Sequence, residues 1–273
     1  NIWNNAQKTG KDKMLKKMIP ISNGLRATGI DLRAKLFKSI HEAFGGNLKE
    51  IICGGAPIRP EIGKFFNDIG ITLLNGYGIT ECSPLVSVNR LKFNDSNTVG
   101  VVLPCCEIKF ENINGDGDGE ICVKGDIVMK GYYKDEERTN KVLKNGWFNT
   151  EDYGSINKKG QLIINGRKKN LIVLDNGKNV YPEEIENYIL GIDYVEEVVV
   201  KGIKNSIGQE VSLCAEVFLN DEKVKELKIQ DINEKLKEDI AEVCKELPTY
   251  KRITDIEIRK EEFEKTTTKK IKR

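Results

Sequence analysis

Asn75-Gly76-Tyr77-Gly78-Ile79-Thr80-Glu81 gathers three side chains that could serve one ligand. A Tyr77 ring between glycines would offer an aromatic face at a sheet edge, suited to stacking on a base. Thr80 offers a hydroxyl to a phosphate oxygen, and Glu81 a hard carboxylate oxygen to Mg2+. The same residues also read as a turn with a buried Tyr77 and a surface Glu81. Gly54-Gly55-Ala56-Pro57 either lets backbone approach a flat ligand closely or is a crossover turn of common turn formers. In the run 146–152, Asp152 could accept two hydrogen bonds from a ribose diol. The alternative there is a core Trp147 beside an exposed Asp152. Arg167, after Gly166, could fork onto ribose or phosphate oxygens, with Lys168 and Lys169 as solvated charges. Lys265, Lys269, Lys270, Lys272 and Arg273 form a basic end with no acid after Glu264. It reads as an electrostatic tail or as the carrier of one specific lysine to a phosphate.

Other chemistries are excluded by residue type. A single His, His41, rules out a multi-histidine metal site and argues against a histidine-based triad. The seven cysteines are odd in number and form no C-x-x-C pair, which fits reduced thiols in a cytoplasmic protein. Residues 116–120 resemble the start of a calcium loop, yet Ile127 stands where the bidentate Glu belongs, so a hairpin turn is expected.

These residues need elements to position them. Helix is expected within residues 1–30. Asp31 is expected to cap a helix with Leu32, Leu36, Ile40, Ala43 and Phe44 on one face, stopped by Gly45-Gly46. Strand 50–53, a helix opened by Pro60 with Ile62, Phe65, Phe66 and Ile69 inward, and strand 71–74 predict a βαβ unit in a mostly parallel sheet. Short β-like runs between about 98 and 165, broken by glycine turns, predict a small β-barrel-like subdomain. Beyond residue 168, a helix opened by Tyr181-Pro182, strands 195–200 and 211–219, a stripe Ile232, Leu236, Ile240, Val243, Leu247 and strand 253–258 predict a separate α+β module.

The 273 residues carry 44 Lys+Arg against 42 Asp+Glu, a net charge of +2, so nothing in the charge calls for nucleic acid. No apolar run reaches the roughly 18–20 residues a membrane span needs.

Taken in order, GGAP (54–57), YGITE (77–81), WFNTED (147–152), GRKKNLIVLDNGKNVYPEEIE (166–186), LPTYK (247–251) and KTTTKKIKR (265–273) resemble the adenylate-forming superfamily of acyl-CoA synthetases, adenylation domains and luciferases. LFKSIHEAFGGNLKEIICGGAPI and GYGITECSPLVSVN are most similar to the bacterial long-chain fatty-acid CoA ligase branch. The resemblance implies an α/β and α+β architecture. Residues 1–97 would be part of the large domain's sheet subdomain, 98–168 its β-barrel-like subdomain, and 169–273 a small α+β lid. It implies attack of a carboxylate on ATP to give acyl-AMP, then thioester formation with CoA.

Carried over by motif, Gly54, Gly55, Ala56, Pro57, Asn75, Gly76, Tyr77 and Gly78 would contact the nucleotide, chiefly adenine. Thr80 would hold the α-phosphate, Glu81 the Mg2+, and Asp152 and Arg167 the ribose. Lys169 would be the hinge and Lys270 the catalytic lysine. Glu264 and Lys269 replace the family's usual Pro and Gly in the last motif, while Thr266, Thr268 and Lys270 keep its spacing.

The family's Ser/Thr/Gly-rich phosphate loop has no counterpart in residues 1–51. The chain is therefore expected to be the C-terminal part of a synthetase, with little turnover alone and the missing N-terminal part as its partner. Fatty acid, ATP and CoA are the expected substrates, with no nucleic acid, no transmembrane segment and at most a loose membrane contact through the substrate. Another acid, a carrier-protein acceptor, or a non-catalytic nucleotide-binding module are the alternatives.

Overall fold

The computed structural model of the chain describes residues 12–115, 117–267 and 271–273. It divides into two compact units. The first holds the residues up to Glu111 with Ile121–Thr150 and Ser155–Ile164; the second holds Asn112–Glu120, Glu151–Gly154 and Asn165–Arg273.

In the first unit, helices α1 (Asp12–Ala27), α2 (Arg33–Leu36) and α3 (Lys38–Ala43) precede strand β1 (Glu50–Cys53), helix α4 (Pro60–Ile69) and strand β2 (Thr72–Gly78). The single helix expected from Asp31 is corrected: it breaks at Phe37. That ring is 2% exposed against Leu15, Ile69 and Ile71, whereas Leu32, Leu36 and Phe44 are each 37% exposed. Burying the Phe37 ring outweighs burying the leucine stripe, so the helix re-phases around it. Asp31 does not cap. Its carboxylate accepts the Arg33 N–H at 3.1 Å and the Arg33 guanidinium at 2.6 and 2.9 Å. This holds its pKa down at about 2. Helix α4 follows expectation, with Pro60 in its first turn and Gly70 closing it at φ +95°.

Strands β1 and β2 pair in parallel, from Glu50 opposite Thr72 to Cys53 opposite Asn75. The mostly parallel sheet is corrected. Strands β3 (Leu85–Val88) and β4 (Val101–Val102) extend the order β1-β2-β3-β4 in antiparallel fashion. Only residues 79–84 connect β2 to β3, too short a run for the crossover that a parallel return needs. Strand β2 is therefore central and runs through Gly76 and Tyr77, which sequence had placed in a loop.

Next come β5 (Cys106–Glu111), β6 (Gly119–Gly125), helix α5 (Glu136–Val142), β7 (Leu143–Lys144), β8 (Trp147–Ile156) and β9 (Leu162–Arg167). They form a five-stranded sheet of order β5-β6-β8-β7, with β9 on β8. The β5–β6 turn closes as a hairpin, with the Asn114 N–H on the Asp118 carbonyl at 2.8 Å. Helix α5 was not expected; Asp135 caps it by accepting the Arg138 N–H at 3.0 Å.

The second unit contains β10 (Ile172–Val173), β11 (Asn179–Val180), helix α6 (Pro182–Ile189), β12 (Val195–Lys204), β13 (Glu210–Leu219), helices α7 (Asp221–Glu226) and α8 (Ile232–Val243), and β14 (Ile253–Arg259). Strands β12 and β13 pair antiparallel and β14 joins β13 in parallel. Leu236 and Ile240 from α8, with Ile185 and Ile189 from α6, fill the core over this sheet.

Candidate functional site

Two of the expected segments meet at the carboxyl ends of β1 and β2. Cys53 pairs with Asn75, so the Gly54–Pro57 turn leaves the sheet beside the strand that continues into Gly76, Tyr77 and Gly78. The carboxyl end of parallel strands is where open α/β sheets hold ligands. A Cβ on Gly54 would sit 3.4 Å from the Gly76 carbonyl oxygen, so the turn runs close along β2. Gly54, Gly55, Ala56 and Pro57 are all exposed. Gly78 is sterically obligatory, because a Cβ there would fall 2.2 Å from the Pro84 carbonyl oxygen. That carbonyl accepts the Ile79 N–H at 2.8 Å and turns the chain into the 3-10 turn Thr80–Cys82.

The reading of Tyr77 as a face displayed at a sheet edge is corrected. Its ring is 9% exposed and packs with Val86, Ile121, Phe148 and Leu162, because β2 is a central strand. Asn75 is buried as well, and its carbonyl accepts the Asn89 N–H at 2.9 Å. Beyond the strand, Thr80 is exposed and Glu81 is half-buried. The Glu81 carbonyl accepts the Met129 N–H at 2.8 Å, and its carboxylate accepts the Tyr132 hydroxyl at 2.9 Å.

Asp152 and Arg167 are brought together in the second unit. The Arg167 Nε lies 3.1 Å from the Asp152 Oδ1, with Asp152 buried and Arg167 half exposed. The alternative of a core Trp147 beside an exposed Asp152 is overturned, for it is Trp147 that is half-buried. Glu151, within β8, adopts the left-handed φ of +59°. Phe148, Thr150, Asp152 and Tyr153 are buried, while Glu151 is exposed.

Lys168 is not merely solvated. It pairs with the buried Glu120 carboxylate, which also accepts the Tyr153 hydroxyl at 3.4 Å. The hydrogen bond to Glu120 pushes the Lys168 ammonium above its ordinary pKa. Lys169 follows, exposed, in the 3-10 turn Lys168–Asn170.

The basic end is not a loose tail where it is described. Lys265 pairs with the buried Glu197 and with Glu262, Lys272 lies 3.4 Å from Glu264, and Arg273 pairs with the buried Glu186. Lys265 and Ile271 form an antiparallel bridge, and the Lys272 N–H donates to the Glu264 carbonyl at 2.8 Å. Lys270, Lys269 and Thr268 lie outside the described residues.

Sequence reasoning did not single out Tyr132, Glu120, Glu186 or Glu197. Nothing in a charge pattern distinguishes a buried Glu from the exposed ones. The Gly131-Tyr132-Tyr133 aromatic pair is the one signal that could have pointed to Tyr132. His41 makes a structural tie, with Nε2 2.8 Å from the Ile69 carbonyl oxygen.

The metal question turns on the donor set. Nucleotide enzymes hold Mg2+ with one or two carboxylates and the substrate's phosphates. Glu81, next in sequence to Thr80, carries one carboxylate of the kind such a site needs. Among the described residues no cluster of three or more His, Cys, Asp or Glu could hold a metal by itself. The residues present thus fit a Mg2+ that comes with a nucleotide.

Residues 12–133 match the family described as AMP-binding enzyme, and residues 169–273 match the AMP-binding enzyme C-terminal domain. The chain belongs to the AMP-binding enzyme family. It is 33% identical over 198 residues to a long-chain-fatty-acid–CoA ligase of Mycobacterium bovis, which covers 70% of this chain and 32% of that protein. It is 32% identical over 250 residues to fatty acyl-CoA synthetase B of Dictyostelium discoideum, covering 88% of this chain and 36% of that protein. The chain therefore spans about a third of the length of the curated relatives it matches. Among solved structures, it is similar to o-succinylbenzoate CoA synthetase of Bacillus subtilis with its acyl-adenylate intermediate. That match has a TM-score of 0.70 and 26% identity, over 82% of this chain and 44% of that one. The same enzyme with ATP and magnesium ion matches at a TM-score of 0.68 and 25% identity, over 85% of this chain and 48% of that one.

Proposed function

We propose that this member of the family supplies the nucleotide cradle and lid of an AMP-forming acid–thiol ligase that acts on fatty acids. The observation that carries the reading is the meeting of the Gly54–Pro57 turn with Asn75–Gly78 at the carboxyl ends of a parallel strand pair, directly followed by Thr80 and Glu81. The substrate class is supported by relatives named as long-chain-fatty-acid ligases. We take residues 1–97 and 98–168 as parts of the large domain and 169–273 as the lid; the C-terminal family match begins at the same residue.

The carboxylate oxygen of the acid attacks the α-phosphorus of ATP, and pyrophosphate leaves with the electrons of the broken P–O bond. The CoA thiol then attacks the acyl carbon, loses its proton, and AMP departs. In this reading the backbone of Gly54–Pro57 and Asn75–Gly78 lies along adenine, since Tyr77 is largely enclosed. Thr80 donates to an α-phosphate oxygen. Asp152, oriented by Arg167, accepts the ribose hydroxyls. Mg2+, held by Glu81 and the phosphates, would offset the charge that develops on the leaving pyrophosphate. Lys270 would place a fixed positive charge between the acid and the α-phosphate. Lys169 is assigned as the pivot of the lid between the two half-reactions. Activity of the whole ligase would need the portion of the relatives that this chain does not span. The cytoplasmic setting rests on the cysteine pattern. No described helix is long and apolar enough to cross a membrane.

The test is acid-dependent ATP–pyrophosphate exchange by the complete native protein, over acids from acetate to palmitate and benzoate. Exchange that peaks with long chains, is lost in Lys270→Ala, and leaves thioester formation from supplied acyl-AMP intact supports the reading. Exchange peaking with another acid replaces the substrate class. Thioester formation only with a carrier protein replaces the acceptor. No exchange with any acid overturns the ligase reading.

A further inference from the structure

The residue whose carboxylate is assigned to Mg2+ is held at two points, backbone and side chain, by one short segment. The Glu81 carbonyl accepts the Met129 N–H at 2.8 Å, and its Oε1 accepts the Tyr132 hydroxyl at 2.9 Å. Tyr132 is itself fixed in place. Its N–H donates to the Thr139 Oγ1 at 2.9 Å, and the Thr139 hydroxyl donates to the Asp135 carbonyl at 2.7 Å. The Arg138 guanidinium carbon lies 4.0 Å from the Tyr132 ring centroid, a cation over the ring's negative face. Helix α5 carries both Arg138 and Thr139, and Asp135 caps it. A Cβ on Gly131 would lie 2.9 Å from the Thr139 methyl carbon, so the segment is drawn tightly against the helix. All of these residues belong to the first unit.

We propose that Tyr132 is a positioning residue for the metal-bearing carboxylate, with Arg138 and Thr139 holding Tyr132 in turn. The inference rests on the assignment of Glu81 to Mg2+. A glutamate on a flexible stem loses rotamer freedom when it takes up a metal. A hydroxyl fixed on Oε1 removes much of that loss beforehand and leaves the carboxylate facing one way. Hydrogen-bond partners of this kind typically change metal affinity about 10- to 100-fold when they are removed. The neighbouring Tyr133 is 88% exposed and has no such place, so it serves as the internal control.

The experiment titrates Mn2+, in place of Mg2+, into the complete ligase carrying a non-hydrolysable ATP analogue, with bound metal read by electron paramagnetic resonance. Tyr132→Phe should weaken Mn2+ binding about 10- to 100-fold, while Tyr133→Phe binds as the native protein does. In parallel, pyrophosphate exchange by Tyr132→Phe should need more Mg2+ and recover as Mg2+ is raised, whereas Glu81→Gln should not recover. Should Tyr132→Phe fail to fold, Thr139→Val and Arg138→Met, which loosen Tyr132 from behind, should each weaken Mn2+ binding several-fold; native binding in both overturns the proposal. Native-like Mn2+ binding by Tyr132→Phe, with binding lost in Glu81→Gln, overturns the role of Tyr132 alone. Native-like binding by Glu81→Gln overturns the metal assignment and this inference with it.

Discussion

Glu81 and Asp152 are both expected to face a nucleotide, but they are kept ready differently. Glu81 is half-buried and steadied by a neutral hydroxyl, which leaves its charge for a cation. Asp152 is nearly enclosed and faces the half-exposed Arg167 at 3.1 Å. The two ends of that pair should respond unequally to mutation. Arg167→Ala removes the countercharge from a buried carboxylate, the costly direction for a buried pair. Asp152→Asn leaves a half-solvated guanidinium that water can serve. In thermal unfolding of the chain, Arg167→Ala should lower the midpoint more than Asp152→Asn, by a difference of about 1–3 kcal/mol in stability. Equal shifts, or the reverse order, would remove the pair's role in the fold. Both variants should weaken AMP binding.

At the scale of elements, the break at Phe37 decides which side chains matter in the N-terminal helices. Phe37→Ala should cost about 3–5 kcal/mol in urea unfolding, whereas Leu36→Ala, one residue earlier on the expected stripe, should cost under about 1 kcal/mol. The reverse ranking would restore the continuous helix. Helix α4, from Pro60 to the Gly70 stop, was legible because its signals are local: a fixed φ at one end and a left-handed glycine at the other. The parallel pairing of strand 50–53 with the strand after that helix was legible from two short apolar runs flanking it, although the second was read as 71–74 and runs on to Gly78. What escaped depends on distant partners. Phe37 lies off the stripe and is buried by Leu15 and Ile69, which sequence spacing cannot place beside it. Tyr77 looked available in a glycine-rich run, and only the antiparallel strand β3 makes β2 central and encloses the ring. In the site, the ordered motifs disclosed Asp152 and Arg167. Tyr132, which holds Glu81, and Glu120, which pairs with Lys168, sit on other strands and loops, so the chain order gives no hint of them.

Across the whole molecule, burial shapes how stability follows pH. Burial pushes the Glu186 carboxyl up to about 7, opposed by Arg273 and the Val200 N–H and reinforced by Glu183. Because its folded pKa lies above the ordinary 4.5, this group favours folding fully below about pH 4.5. That contribution fades as pH rises through about 7. It amounts to on the order of 3 kcal/mol. Asp31 works oppositely: its lowered pKa gives stability present above about pH 4 and lost toward about 2. The second unit should therefore unfold more readily at pH 8 than at pH 5, and Glu186→Gln should flatten that slope in unfolding measured by tryptophan-independent circular dichroism. An unchanged slope would assign the pH dependence elsewhere. The cysteines carry a different consequence. Cys53 and Cys105 reach solvent, while Cys82, Cys106 and Cys122 are enclosed in the first unit and Cys214 and Cys244 in the second. Burial pushes the Cys82 thiol up to about 12 and the Cys244 thiol up to about 11, so neither is reactive until its surroundings open. Timed alkylation followed by peptide mass mapping thus turns the native chain into its own pair of stopwatches, with one set of labels recording each opening of the first unit and the other recording each opening of the second.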